Sequence, residues 1–502
     1  MIDRDNDAVV SVARTEPGYP SASPYDPGEA YPEYPYGEAG IGGTANPVYR
    51  AVRDCLHGLG LDESRFGTAA WNPLGDVIHP GQTVVLKPNF VIDRHYQDGD
   101  LYSIVTHPSV IRAVADFCQI ALKGSGRLIL ADAPVDDCDF DNLRVVMGLD
   151  QLQAMYKERG ALALEVYDLR RFASVPGDRM YAFKRQTLAG DPAGHVIVDM
   201  GSESALCGKT GPFFGADPST SETQANHHGD IHRYCVSKTI LSSDVLISLP
   251  KLKVHKKVGV TLNFKGFVGA NTNKNFLVHY TMGTPKDGGD QTADAVTSAD
   301  SAILKIRRMI HKVFFDSHNP VLERIHHVVF HSWPYLFLRQ RLARMGVTSS
   351  KRAAETDGGN WYGNDSCWRM VVDLARILYF CDSEGGQHQE PQRRVISFLD
   401  GIIGGESNGP LLPDAKPCGI IVGGVNPLAV DLVACRLMGF DWRKLPMYRF
   451  LTGLPAPFDV NRGCGITVRS EDPELEDCLR KDGRFLAFKP HHNWIGHIEY
   501  ER

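Results

Sequence analysis

Apolar residues occur in short runs flanked by turn-forming residues, a pattern that predicts strands buried on both faces. These runs cover residues 84–86, 127–132, 164–167, 245–249, 394–399 and 419–424. Elsewhere apolar residues recur at intervals of three and four, which predicts helices at 46–59, 152–159 and 360–380, and others that begin near 106 and 426. The order strand, helix, strand is typical of a parallel sheet with right-handed crossovers.

Two groups of these elements predict an α/β protein with two α/β domains, whose mostly parallel sheets face a central cleft. The predicted divisions are 1–45, a Pro/Tyr-rich N-terminal arm; 46–270, the first domain; 271–378, a polar loop and helical insertion; and 379–502, the second domain with a Gly-rich acidic loop and a C-terminal tail. Five tyrosines in the arm favour an ordered segment wrapped on the body over a disordered tail.

The insertion contains a basic, amphipathic helical stretch at residues 300–347. This pattern is typical of a lid, a dimer element or a membrane-surface contact, and a packed helical hairpin fits it best. We expect a homo-oligomer contact or another protein partner, where one exists, to use this stretch.

The composition is that of an ordinary globular protein, with 502 residues of which 43% are hydrophobic and 23% charged. A formal net charge of −6 argues against nucleic-acid binding as the main role. Eleven cysteines without a C-x-x-C pair give no signal for a zinc ribbon or an iron–sulfur cluster, and their odd number favours a reducing compartment. Without a signal-peptide pattern or an apolar run of about 18 residues, we expect a cytoplasmic protein that has no transmembrane segment.

The most informative stretch is 246–269, where a buried strand pattern leads into a cluster of basic residues. In an extended segment, Lys251, Lys253 and His255 would lie on one face. Mobile ammonium groups suit an anion. The alternative is a solvated basic edge strand, but apolar residues between the lysines are unusual for such an edge.

Several polar residues at predicted strand ends, or close to this motif, are candidates to bind an anionic substrate. They are Lys87, Asn89, Lys251, Asn263, Lys265 and His279. His255 is the candidate for proton transfer, with Lys253 beside it, because neighbouring lysines would lower the imidazole pKa and favour the neutral form that a general base requires.

A glycine-rich segment at 400–410 contains two further candidates for catalysis, Asp400 and Glu406. Two carboxylates in such a loop could serve as acid and base, or hold a divalent cation. Ordinary turn chemistry explains the same residues equally well. No phosphate-binding P-loop and no Rossmann fingerprint is present.

Three histidines, His227, His228 and His232, resemble a metal-ligand spacing. A glycine and an aspartate between them make a helix weak at this point, so a metal here is one alternative among several. The sequence does not identify a cofactor, and a divalent metal is the one candidate that these residues suggest.

Six motifs together resemble the family catalogued as domain of unknown function 362. They are VLKPNF at 85–90, THPS at 106–109, ADAP at 131–134, LPKLKVH with VTLNFKG at 249–266, DGIIGGE at 400–406 and GGVNPLAVD at 423–431. With NWYGND at 360–365, the chain resembles the long form found beside polysaccharide and secondary-metabolite genes. Many members carry a ferredoxin-type cysteine cluster, which this sequence does not have. The pattern also resembles, remotely, the two-domain fold of lactate racemase.

Residues and resemblance together predict an enzyme that acts on an anionic small molecule, a carboxylated or phosphorylated sugar or metabolite of such a pathway. Proton-transfer chemistry is expected, as in an isomerase, an epimerase or a lyase. The alternatives are a non-catalytic binding or scaffold protein of the pathway, and a metal-dependent enzyme that uses the histidines at 227–232.

Overall fold

A computed structural model describes residues 8–176, 183–215, 220–293, 355–460, 465–479 and 485–501, and the single positions 334, 337 and 341. The strands of these residues are β1 (Val9–Arg14), β2 (Thr83–Pro88), β3 (Arg127–Asp132), β4 (Leu164–Asp168), β5 (Phe172–Pro176), β6 (Phe183–Thr187), β7 (His195–Asp199), β8 (Phe213–Phe214), β9 (His227–His228), β10 (Ile231–Ser237), β11 (Val245–Leu249), β12 (Lys251–His255), β13 (Gly259–Val260), β14 (Tyr280–Thr281), β15 (Arg394–Asn408), β16 (Leu412–Gly424) and β17 (Thr467–Arg469). The α-helices are α1 (Pro47–Gly58), α2 (Pro108–Leu122), α3 (Phe140–Val146), α4 (Leu149–Glu158), α5 (Thr220–Asn226), α6 (Lys238–Leu241), α7 (Leu262–Gly266), α8 (Cys367–Phe380), α9 (Pro427–Met438), α10 (Pro446–Leu451) and α11 (Pro473–Glu476).

A large mixed sheet organises the fold. Its strand order is β17-β1-β16-β15-β11-β2-β3-β4, and β12 and β13 are attached beside β15. The run from β15 to β4 is parallel, whereas β16 is antiparallel to both of its neighbours. Small sheets are formed by β7-β10-β9, by β14-β8 and by β5-β6. The predicted α/β class with a mostly parallel sheet is confirmed.

Alternation along the central strands builds a hydrophobic core on each face of this sheet. In β11, Leu246 packs into one core, while Val245 and Ile247 pack into the other. In β2, Val85 belongs to the first core and Val84 to the second. A strand with two buried faces reads as a continuous apolar run, which is why these segments were recognisable in the sequence.

Strands from the two predicted domains are neighbours in this sheet. Val245 of β11 lies opposite Arg394 of β15 in a parallel pair, although the sequence divides the chain between them. The described ranges therefore do not show two sheets facing a cleft, and the predicted domain boundaries stay a prediction. The basic stretch 300–347 lies outside the described residues except for single positions.

The predicted Gly-rich acidic loop at 400–410 is instead the second half of β15 and its turn into β16. Glycine serves close packing here, because a Cβ on Gly405 would lie 2.4 Å from the carbonyl oxygen of Ser103. The prediction of a loop was wrong, since glycine is typical of turns but also of strands that another backbone approaches closely.

Polar side chains cap the helices that begin near residues 106 and 426. Asn426 caps α9, because its side chain accepts hydrogen bonds from the amides of Leu428 and Ala429. The N-cap of α2 is His107, whose side chain accepts from the Ser109 amide. The Thr106 hydroxyl is engaged elsewhere, since it donates to the Leu249 carbonyl at 2.6 Å. Of the helices described, none is long and apolar enough to span a membrane.

Candidate functional site

Strand β12 carries the basic residues that the sequence singles out. Lys251, Lys253 and His255 alternate with Leu252 and Val254, which lie in the hydrophobic core. The three basic side chains are buried too, with exposed fractions of 0%, 0% and 5%. A solvated edge strand would expose its lysines, so that alternative does not describe β12.

Lys251 lies in a neutralised cluster with the N-terminal arm. Its Nζ is 2.9 Å from Asp400 Oδ2 and donates to the Tyr19 hydroxyl at 2.6 Å. The Tyr19 hydroxyl in turn donates to Asp400 Oδ1 at 2.7 Å, and the His107 amide donates to Oδ2 at 2.9 Å. The rings of Tyr19 and His107 stack with centroids 3.9 Å apart. The Lys251 ammonium, the Tyr19 hydroxyl and both Asp400 oxygens have partners, which is typical of a structural ion pair.

Lys87 is held in a similar way at the end of β2. Its Nζ lies 2.8 Å from Asp132 Oδ1, and the other oxygen of Asp132 accepts from the Phe90 amide at 2.8 Å. Gly269 packs directly on the pair, because a Cβ there would lie 1.8 Å from Asp132 Oδ1. Lys87 and Asp132 therefore neutralise each other beneath the chain segment that follows α7.

Lys253 is buried without a carboxylate. Its Nζ donates to the carbonyl oxygens of Ile104 at 2.8 Å and Pro410 at 3.3 Å. Burial, and after it the positive charges of Lys265 and Lys251, lowers the pKa of Lys253 well below that of an ordinary lysine. The arrangement is costly for the protein alone, because a buried cation that is bonded only to neutral carbonyls keeps part of its desolvation penalty.

Lys265, on α7, is close enough to several basic side chains for its charge to affect them. Its ammonium group forms no hydrogen bond or ion pair with any residue that the structure describes. Its charge contributes to lowering the pKa of Lys253, His255, Lys274 and His279. These residues come from β12, α7 and the polar loop, and the fold thus brings together basic residues that lie up to 26 positions apart in the sequence.

We call this group the Lys265 cluster; its members are Lys253, His255, Lys257, Lys265, Lys274 and His279. Burial lowers the pKa of Lys257 and of Lys274 to about 8. Lys257 donates to the Gly358 carbonyl and lies over the ring of Tyr280. A concentration of cations with lowered pKa is characteristic of sites that bind an anion, because the ligand supplies the missing negative charge.

The two histidines of the cluster are neutral for the same reason. Burial is the largest cause of the strongly lowered pKa of His255, followed by the charges of Lys265 and Lys253. Its Nδ1 accepts from the Lys257 amide at 3.1 Å, so the neutral ring carries its proton on Nε2. In His279 the Nδ1 atom is buried and has no partner among the described residues.

Three other predicted residues make bonds that serve the fold. The Asn89 side chain donates to the Ile104 carbonyl at 3.0 Å. Asn263 donates from its side chain to Asp431 at 2.8 Å. Glu406 accepts from the Lys489 amide at 2.9 Å and pairs with Lys416 at 3.2 Å. The structure therefore gives each of them a bonding partner away from the Lys265 cluster.

The three histidines of the predicted metal site do not converge. His227 and His232 lie opposite each other in the β9–β10 pair, with ring centroids 5.8 Å apart, whereas His228 is on the other face and exposed. No group of three or more metal-ligating side chains is found in the ranges that the structure describes. A metal at His227 and His232 stays a prediction.

The sequence pattern does not single out three residues that the fold places beside the predicted ones. Lys257 was noted only as a charge beside His255, and Lys274 only as part of a polar loop, although their lysine side chains are the signal that could have found them. No local signal marks Tyr19 as the partner of Lys251, since 232 positions separate them.

Fold and site together define an α/β protein with a cluster of buried and half-buried lysines that have no carboxylate partner among the described residues. The family model of the Domain of unknown function (DUF362) matches residues 183–436, just over half of the chain. The chain therefore belongs to this family, and the matched region contains the whole Lys265 cluster. A search of curated proteins finds no match. A search of solved structures finds none either. The resemblance to lactate racemase stays a prediction.

Proposed function

We propose that the protein is an enzyme that binds an anionic small molecule at the Lys265 cluster and acts on it by proton transfer. The observation that carries the proposal is the lack of a counter-charge at Lys265. Its ammonium group has no partner in the described structure, while its charge lowers the pKa of four neighbouring basic side chains. A protein that only needed stability would replace or pair such a cation, as it does with Lys251 and Lys87.

The two neutral histidines supply the proposed chemistry. His279 Nδ1 has an unused lone pair and is the candidate base, while His255 Nε2–H is a donor that can hydrogen-bond to, or protonate, an oxygen of the ligand. Neutral imidazoles beside fixed lysine charges suit isomerisation, epimerisation or elimination next to a carboxylate or phosphate, because the lysines stabilise the negative charge that develops.

In this proposal Asp400 does not act as a general acid or base. Both of its oxygens are engaged with Lys251, Tyr19 and main-chain amides. Glu406 is likewise engaged with two lysines. Proton transfer is assigned to the histidines alone.

A thermal-shift screen with anionic metabolites, followed by solvent-exchange measurement, tests the proposal. We expect at least one sugar phosphate or carboxylate to raise the melting temperature, and we expect one of its carbon-bound protons to exchange in D2O, as observed by NMR. His255→Gln and His279→Gln should keep the thermal shift and lose the exchange.

Lys265→Met is the matched variant for binding and should lose the thermal shift, whereas Lys238→Met, which removes a surface lysine paired with Glu384, should keep it. Binding without exchange of any proton would leave a binding protein and overturn the enzymatic part. Equal ligand shifts in Lys265→Met and in the unmodified protein would overturn the site.

A further inference from the structure

The lysines of the Lys265 cluster share one property. Wherever one of their ammonium groups donates a hydrogen bond, the acceptor is a carbonyl oxygen. Lys253 and Lys274 each donate to two carbonyl oxygens, and Lys257 donates to one. No carboxylate lies within ion-pair distance of these three or of Lys265 in the described part of the chain. Carbonyl dipoles stabilise an ammonium group but leave its full charge uncompensated.

The carboxylates that act on the cluster from a distance have other partners or leave the pKa of the lysines lowered. Asp132 is paired with Lys87. Asp290 accepts from the Thr281 amide and from the Ser366 hydroxyl, and Lys209 lies 3.6 Å from it. Asp136 and Asp357 also raise the pKa of Lys274 and Lys257, yet burial still lowers both values to about 8.

At neutral pH the cluster consequently carries more than one uncompensated positive charge. A pKa of about 8 leaves Lys257 and Lys274 mostly protonated at pH 7, and neither has a carboxylate within ion-pair distance in the described part of the chain. A ligand with one negative charge would neutralise only part of this excess. A second charge close to the first would be attracted by the remaining cations at low effective dielectric, where each interaction is stronger than in water.

We infer that the ligand of this site carries at least two negative charges close together, as in a phosphate ester, a diphosphate or a di- or tricarboxylate. The inference rests on the proposed anion site and narrows its ligand class. The contacts of the lysines support it, since Lys253, Lys257 and Lys274 donate only to carbonyl oxygens and keep their charge available to oxyanions. Lys265 also lies close enough to Lys253 and Lys274 for its charge to affect both of them.

Isothermal titration calorimetry at constant ionic strength tests the charge requirement with two series of simple probes. The first is acetate, malonate and tricarballylate, and the second is chloride, inorganic phosphate and pyrophosphate. We expect affinity to rise by about tenfold or more from the monoanion to the most highly charged member of each series. Lys265→Met should abolish most of this rise, and Lys265→Arg should retain it.

Proton uptake gives a second, independent readout. A bound polyanion favours the protonated form of the neighbouring lysines, so the binding enthalpy at pH 8 to 9 should depend on the ionisation enthalpy of the buffer, with net uptake of protons for pyrophosphate. Lys257→Met/Lys274→Met should reduce this uptake, whereas Lys238→Met should not change it.

The outcomes separate the two proposals. Acetate that binds as tightly as tricarballylate, with Lys265→Met weakening both, would overturn the polyanion inference and leave the anion site intact. Absence of binding by every probe would overturn the anion site and, with it, the proposed function. Tight pyrophosphate binding that persists in Lys265→Met would place the anion at other lysines and overturn both.

Discussion

Lys251 and Lys253 are two residues apart on the same face of one strand, yet their surroundings differ completely. Lys251 is surrounded by Asp400, the Tyr19 hydroxyl and the histidine that stacks on Tyr19. Burial lowers the pKa of Lys251, and the charge of Asp400 raises it again in part. Lys253 has two carbonyl oxygens and two neighbouring cations. The difference shows that one strand can supply both a lysine in an ion pair and a buried lysine bonded only to carbonyl oxygens. We propose that only the second kind serves a ligand.

Replacement of Asp400 should have the largest effect on stability. Asp400→Ala leaves Lys251 buried without its counter-charge, and we expect the free energy of unfolding to fall by about 3–5 kcal/mol. Urea denaturation measures it. Lys253→Met is the control on the same strand, and it should cost far less, because it removes a cation that has no counter-charge. Similar losses in the two variants would erase the distinction between these lysines.

The pH dependence of stability should show the second largest effect. Lys257 and Lys274 have a pKa of about 8 in the folded protein and 10.5 as the reference value, so between these values the unfolded chain binds more protons. The free energy of unfolding should therefore rise with pH from about 8 to 10.5, by up to roughly 1.4 kcal/mol per pH unit for each lysine. Below pH 8 both lysines are protonated in the folded and in the unfolded state, so they add no pH dependence to the free energy of unfolding.

Comparison with Lys257→Met/Lys274→Met isolates this contribution from other groups that titrate in the same range. The double variant should lack the rise, and saturating pyrophosphate should flatten it in the unmodified protein. A rise of the same size in both proteins would show that the two lysines titrate normally.

The smallest effect on stability is expected from a substitution in the N-terminal arm. Tyr19→Phe keeps the ring stacked on His107 but removes the hydroxyl shared by Lys251, Asp400 and the Ile403 amide, so it should cost about 1–2 kcal/mol. Tyr102→Phe is the control, because the Tyr102 ring contacts the same histidine while its hydroxyl bonds to neither Lys251 nor Asp400. Equal effects in both variants would indicate that ring contacts, not the hydroxyl, connect the arm.

Much of the fold could be predicted because local pattern determines it. The strand Arg127–Asp132 was expected at the same residues where it lies, and the apolar run 245–249 is a strand buried on both faces. The pairing of strands could not be predicted in this way, because no local pattern in the sequence indicates that β15 lies next to β11. The glycines between 400 and 410 predict a loop, but they lie in a strand for the same kind of reason. Gly405 is needed because the Ser103 backbone packs against it, and this contact between distant residues cannot be seen in a local pattern.

The site could be predicted in part. Alternation placed Lys251, Lys253 and His255 on one face, and the structure agrees. Which of these cations would meet a carboxylate depends on the register of β12 with β15, where Lys251 lies opposite Asp400 and Lys253 opposite Gly405. A local pattern shows the residue types but not their opposite partners, so the functional distinction between the two lysines appears only in the fold.

The position of β1 has a consequence for how the chain matures. Residues 10–14 pair with residues 420–424 of β16, about four hundred positions later. On the ribosome this first strand must wait until nearly the whole polypeptide has emerged before it can form its hydrogen bonds. We therefore expect the sheet to close late and slowly, as in other folds with distant contacts. Tyr19, only five residues beyond β1, would reach Lys251 at that same late stage of synthesis.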